Sequence, residues 1–324
     1  MPRTSRAGNP KTVPMLDELD DLLRTARSWK AGGHGVAIAT VIRTWGSAPR
    51  RRGSHAIIRD DGLFEGSVSG GCVEGDVIVS AQALLHDGGG FVRRDYGVQE
   101  ENAWTHGLAC GGEISVLIQT IDDAHYAPAI VDAVIERRGW GHSVAVTTDL
   151  ASGMSVIGED DGEDCFLNIY SPPLRMMIVG AVHVSQSLVP LARQLGYRVL
   201  VVDPRDSFAA ASRFADIEVD TRWPDEAFAE WKPDGGTAII TLTHDSKIDD
   251  PALEAAMRSE AFYIGALGSR RTQAARLERL AEKGFTPEEL ARIDGPAGLA
   301  IGAATPAEIA LSIIAGATAA LRRL

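Results

Sequence analysis

After the stiff break Ser171-Pro172-Pro173, short apolar runs alternate with helix-length segments to the end of the chain. Runs rich in Val, Ile and Met predict strands at Arg175–Val179, Arg198–Val202, Thr237–Thr241 and Ala261–Ile264. Apolar residues at helical spacing predict helices at Val184–Leu195, Pro251–Arg258 and Arg270–Ala281. Strands separated by helices cannot meet through tight hairpins. They need crossovers, which give a parallel sheet with helices on both faces. Residues 173–324 are therefore expected to form a doubly wound parallel-sheet domain. The closing run, Pro306–Leu321, carries few charges and predicts a helix that packs on this domain or on a second subunit.

The first turn of this half has a Rossmann-like outline: a strand, then Gly180-Ala181-Val182-His183-Val184-Ser185, then a helix. Asp203 ends the next strand at about the 20-residue distance expected of a ribose-binding carboxylate. The fingerprint is incomplete, because Val182 stands where a second glycine would let a pyrophosphate approach, and Ser185 replaces the third. Nucleotide binding and a first turn that merely packs both stay open. A second anion site is outlined by Gly265-Ala266-Leu267-Gly268-Ser269-Arg270-Arg271, which runs from a strand end into a helix start. Ser269 would equally serve as an ordinary helix cap. His244 and Asp245 follow another strand end, where such sheets place ligands.

The front half is organised differently. A helix is expected over Leu16–Lys30, a strand over Val36–Thr44, a hairpin over His55–Arg59 and Leu63–Glu65, a helix over Val73–Leu85 and a strand over Glu113–Thr120. Residues 123–172 read as a connecting region: a helix near Pro128–Arg137, then strands at Ser143–Thr148 and Cys165–Tyr170. The division is thus 15–122, 123–172 and 173–324. Two glycine-rich segments, each holding a cysteine, mark the first part: Gly66-Ser67-Val68-Ser69-Gly70-Gly71-Cys72-Val73-Glu74-Gly75 and Gly107-Leu108-Ala109-Cys110-Gly111-Gly112. Glycine lets a ligand come close to the backbone and can leave N–H groups pointing into a concave site. A thiol beside such donors suits a soft metal, a transferable sulfur or an anionic cofactor. Cys72, at the edge of a helix start, is expected to favour the thiolate. Arg50, Arg51 and Arg52 could clamp a phosphate or form a solvated charge run.

Composition narrows the function classes. A formal net charge of −12 argues against broad nucleic-acid binding and against an anionic membrane surface. Three cysteines make no disulfide framework, so a reducing cytoplasm is the expected compartment. The first fourteen residues read as a frayed tail with no apolar run of secretory-signal length, and no stretch reaches a membrane span.

Taken together, the motifs resemble the xanthine dehydrogenase accessory (XdhC/CoxI) family. The matching stretches are Gly46-Ser47-Ala48-Pro49-Arg50, the two cysteine segments, Gly180-Ala181-Val182-His183, Val202-Asp203-Pro204-Arg205, Thr243-His244-Asp245, Gly265–Arg271, Gly298–Ala303 and Thr305–Ala310. The resemblance implies an N-terminal α/β XdhC/CoxI domain before the Rossmann-like one. It implies a homodimeric cytoplasmic chaperone that binds the molybdenum cofactor (molybdopterin) transiently and protects it. Such a protein favours exchange of an oxo ligand for sulfur by a cysteine desulfurase, then delivers the cofactor to an apo molybdenum hydroxylase such as xanthine dehydrogenase. Under this resemblance Cys72 and Cys110 contact the cofactor and its metal. Gly70, Gly71, Gly111 and Gly112 form the cradle, with Arg50 beside it. Gly180, His183, Asp203, Arg205, His244, Gly268, Ser269 and Arg270 belong to a nucleotide or pterin-phosphate lobe, in which Val182 stands where many relatives carry glycine.

Two other readings compete. An NAD(P)-dependent oxidoreductase would use the rear domain with His244 as acid or base. A thiol redox protein would pair Cys72 with Cys110, although no C-x-x-C is present.

Overall fold

The computed structural model describes residues 18–48, 50–97, 112–160, 162, 164–209, 214, 217 and 219–323. The N-terminal tail, Cys110 and Gly111 lie outside the described residues. The chain divides into two compact units, one over Glu18–Pro172 and one from Pro173 onward.

The first unit runs α1 (Glu18–Ala31), β1 (Val36–Trp45), β2 (His55–Arg59), β3 (Phe64–Gly66), α2 (Glu74–His86), β4 (Phe91–Tyr96), β5 (Glu113–Thr120), α3 (Pro128–Gly139), β6 (Val144–Asp149), β7 (Ser155–Ile157) and β8 (Cys165–Tyr170). Its main sheet has the order β3-β2-β1-β5-β4, with every pairing antiparallel. Alternation along β1 explains both layers. Ala37, Ala39 and Val41 pack with Val77 and Ala81 of α2, whereas Val36 and Ile38 pack with Leu23, Ala26, Val131 and Val134 of α1 and α3. The small sheet β7-β6-β8 lies in the same unit, so residues 123–172 share a core with the front half. Neither β4 nor β7 carries a strand pattern that could be read in advance. β4 is an edge strand with Arg93, Arg94 and Asp95 at its centre, and β7 has three residues.

The second unit runs β9 (Arg175–Val179), α4 (His183–Gln194), β10 (Arg198–Val202), β11 (Val219–Asp220), α5 (Pro224–Trp231), β12 (Thr237–Thr241), α6 (Ser246–Met257), β13 (Tyr263–Ala266), α7 (Arg270–Glu282), α8 (Pro287–Leu290), β14 (Ile293–Asp294) and α9 (Pro306–Leu321). The sheet is parallel throughout, in the order β11-β10-β9-β12-β13-β14. Strand order reverses between β9 and β12, the switch point at which such sheets open a crevice. Gly180 sits there with φ +115, and a Cβ on it would lie 2.8 Å from Thr243 Cγ2. Only glycine lets the two strand ends approach this closely.

α6 begins at Ser246, ahead of Pro251, because the Asp245 side chain accepts the Lys247 N–H and caps it there. α9 buries Ala310, Ile313, Ile314 and Ala317 against Leu188 and Ala192 of α4. Its apolar face is therefore satisfied inside its own unit and gives no argument for a second subunit.

Candidate functional site

The turn between β3 and α2 is built around one carboxylate. Glu74, 8% exposed, accepts from Ser67 Oγ (2.6 Å), Val68 N (3.2 Å) and Ser69 N (2.9 Å) on one oxygen, and from Ser69 Oγ (2.5 Å) and Gly71 N (2.8 Å) on the other. Ser69 Oγ in turn accepts from Cys72 N and Val73 N, each at 2.9 Å, and Ser67 Oγ accepts from Gly70 N at 2.8 Å. Burial opposes ionisation of Glu74, but the hydrogen bonds from Ser67 and Ser69 outweigh it and hold the carboxyl down at about 2.

This corrects the expectation that the glycine segment offers free N–H groups to a ligand. The donors of residues 68–73 point inward, onto Glu74 and the two serine hydroxyls. What the turn presents outward is the exposed Cys72 thiol beside Gly71, where an added Cβ would meet nothing within 4 Å among the described residues. Glycine at 70 and 71 is required by φ values of +77 and +113.

One other candidate residue reaches this turn, and a second lies against the loop after β1. Arg50 donates from Nε to the Ser67 carbonyl at 3.0 Å, so it is tied to the cysteine turn. Gly112 runs against the backbone of Ser47, whose carbonyl would lie 2.7 Å from a Cβ added there. Arg50, Gly70, Gly71, Cys72 and Gly112 thus belong to the same end of one unit. Cys165 stands apart in β8, with burial and then Asp160, Asp149 and Asp164 pushing its thiol up. Cys165→Ala should cost about 1 kcal/mol or less by chemical denaturation.

The residues picked out in the rear half gather at the C-terminal edge of the parallel sheet. Asp203 is fully buried, accepting from Ala181 N at 2.8 Å and from both Nε and Nη2 of Arg205 at 2.8 Å. Burial raises its carboxyl, and the bonds from Arg205 and Ala181 reverse this and leave it lowered. Arg205 also lies over the Phe208 ring at 3.9 Å. The carboxylate expected to meet a ribose is therefore spent on its own turn, and the Ala181 N–H of the turn after β9 is spent with it. Together with Val182, this geometry disfavours the nicotinamide reading.

His183 is exposed at the start of α4. His244 is exposed with φ +60, its N–H held by Asp249 Oδ2 at 3.1 Å. Ser269 caps α7 by accepting from Thr272 N at 3.1 Å, and Arg270 is exposed on its first turn. No group of three or more His, Cys, Asp or Glu suited to a metal ion occurs among the described residues.

Comparison with known proteins places these geometries in a family. Residues 29–97 match the model of the XdhC and CoxI family, and residues 176–316 match that of the XdhC Rossmann domain. The molybdenum cofactor insertion chaperone PaoD of Escherichia coli (strain K12) is 29% identical over 317 residues, covering 94% of this chain and 90% of PaoD. A probable xanthine dehydrogenase subunit from Bacillus subtilis (strain 168) is 27% identical, covering 86% of this chain and 91% of that protein. A solved structure of a xanthine dehydrogenase from Bacillus halodurans superposes with a TM-score of 0.78 at 26% identity, covering 95% of this chain and 96% of the other. The glycine–cysteine turn lies inside the first matched region and the switch-point crevice inside the second, and the chain belongs to the XdhC and CoxI family, with an XdhC Rossmann domain as its rear half.

Proposed function

We propose that this chain is a molybdenum cofactor insertion chaperone whose client is a molybdenum hydroxylase of the xanthine dehydrogenase kind. The carrying observation is the Cys72 turn: an exposed thiol on a backbone pre-ordered by a buried, ionised Glu74. Thiolate is a suitable temporary ligand for a soft metal centre with dithiolene sulfur. A chaperone must release what it holds, and a single thiol on an open glycine turn suits release better than a closed cage. The names of the similar proteins support the cargo and the client.

In the finer reading, Cys72 and Cys110 are the thiols that contact the cofactor during its transient stay, with Arg50 and the flanking glycines as the cradle. There it is open to sulfuration by a cysteine desulfurase before delivery. We place the protein in the cytoplasm as a homodimer. No helix among the described residues is long and apolar enough to cross a membrane.

The test is to purify the protein from cells that make molybdenum cofactor and to measure bound molybdenum and pterin. Wild type is expected to carry near-stoichiometric cofactor. Cys72→Ala and Cys110→Ala are each expected to lose about tenfold in retention with unfolding curves unchanged, the loss of about one strong contact. Absence of cofactor from every sample, even after incubation with a cofactor source, would overturn the reading.

A further inference from the structure

We infer that the first unit carries a second binding site, a cleft for a small phosphate-bearing molecule, on the sheet face opposite α2. The cleft has a volume of about 430 Å³ and is lined by Arg43, Arg52, Arg93, Phe166 and Cys165 over an apolar floor that includes Ile42 and Leu150. That size falls within the range of small-ligand pockets. It is independent of the cofactor reading, because neither Cys72 nor Gly71 lines it.

A β-bulge sets the site up. Along β1 the pairing with β5 shifts between Val41 and Arg43, so Arg43 lies opposite Ser115 while Val41 lies opposite Val116. Val41 and Val116 face α2, and Ile42 and Leu117 pack with Phe166 on the other face. Without the extra residue, strict alternation would send Arg43 to the α2 side with Ala39 and Val41. The bulge re-aims its guanidinium onto the face where Arg93 donates to Asp95 and to Ser115 Oγ. Bulges recur where a strand must redirect one side chain toward a ligand.

The charge balance selects the ligand class. Arg93 is neutralised by Asp95 at 3.1 Å. Arg52 lies over the Phe166 ring at 4.8 Å, and neither it nor Arg43 pairs with a carboxylate among the described residues. Among the described residues the site therefore offers two guanidiniums without a carboxylate partner, which match the charge of close to −2 on a phosphomonoester near neutral pH. Asp149, Asp160 and Asp164 all act on the Cys165 thiol from outside the cleft, and none of the three lines it. Asp149 accepts from Ala151 N and Ser152 N, and Asp160 accepts from Gly162 N. Cys165, its thiol pushed up by burial and these acids, adds no negative charge to the cleft.

The experiment is calorimetric titration of inorganic phosphate and of phenyl phosphate into the full-length protein. Saturable binding of phenyl phosphate tighter than that of inorganic phosphate is expected, since the ring can use the apolar floor. Arg43→Ala and Arg52→Ala should each weaken it about tenfold, the scale of one charge-assisted hydrogen bond. Arg51→Ala, which removes a neighbouring exposed arginine that does not line the cleft, and Cys72→Ser should leave it unchanged. Circular dichroism checks that each variant is folded. No saturable binding in wild type would overturn the proposal, as would equal losses in Arg51→Ala and Arg52→Ala.

Discussion

On the proposed function, Glu74→Gln should empty the protein of its cofactor and destabilise the first unit by about 2–4 kcal/mol, although the amide has nearly the shape of the carboxylate it replaces. The reason lies in what each oxygen accepts. Oε1 takes Ser67 Oγ, Val68 N and Ser69 N, and Oε2 takes Ser69 Oγ and Gly71 N. An amide nitrogen in place of either oxygen cannot accept, so at least one buried backbone N–H is left facing another donor. Ser69 cannot rescue the arrangement by rotating its hydroxyl. Its oxygen already accepts from Cys72 N and Val73 N, which leaves its proton for Glu74 alone.

The Cys72 thiol then loses its fixed place even though the thiol itself is untouched. Amide exchange should show protection lost across residues 68–73, and bound molybdenum and pterin should fall below detection. Glu74→Asp keeps the charge but withdraws it by one methylene, and should restore part of both. A folded Glu74→Gln protein with full cofactor content would show that the turn does not position the ligand.

Glu74 also shows where reading the sequence stops. The glycines and the cysteine of this turn are visible as residue types, and their positive φ values follow from glycine's freedom. Which way the N–H groups point depends on a carboxylate folding back over its own turn, a three-dimensional fact with no period or spacing to announce it. A serine pair ahead of a glutamate at a helix start is the nearest signal, a variant of the capping pattern in which serine hydroxyls and a following acid satisfy a helix entrance.

The rear sheet was far more legible. Four of its strands stand out because parallel strands buried on both faces read as continuous apolar runs. β11 and β14, of two residues each, are too short to carry any pattern, and α5 hides behind Pro224 and acidic residues. The damaged fingerprint at Val182 pointed toward a crevice poor in phosphate contacts. The capture of the Ala181 N–H by Asp203 adds to this, and no sequence offset could have disclosed it. The cleft under β8 was invisible for a related cause, since a one-residue bulge decides which face receives Arg43.

Acid should unfold the first unit in a window set by His55, a residue that nothing in its sequence context distinguishes. His55 is 5% exposed, and burial lowers its pKa from 6.5 to about 4 against a weaker opposing bond to Ala39. Its Nδ1 meets Thr40 Oγ1 at 2.9 Å and its Nε2 accepts from Asn168 Nδ2 at 3.3 Å. The ring stacks on Tyr170 at 5.6 Å, and the Tyr170 hydroxyl meets that of Tyr126 at 2.9 Å. Both ring nitrogens are thus engaged in the neutral form, and a second proton on Nε2 would face the Asn168 amide.

The unfolded chain takes up this proton near 6.5 and the folded one only near 4, so between those values the unfolded state binds more protons. Stability is therefore full above about pH 6.5 and falls as the pH drops toward 4, by about 3 kcal/mol in all. Glu74, depressed from 4.5 to about 2, extends the loss to lower pH with the same sign, because its contribution is complete above 4.5 and disappears as the pH falls through 2. The consequence reaches the site, since the His55 carbonyl accepts the Ser67 N–H at 3.0 Å and carries the start of the Cys72 turn. Urea unfolding at intervals from pH 7.5 to 4.5 should show the decline, and His55→Gln should flatten it. An NMR titration of the His55 ring in the wild type checks the cause without any substitution, and a folded-state pKa above 6 would refute it.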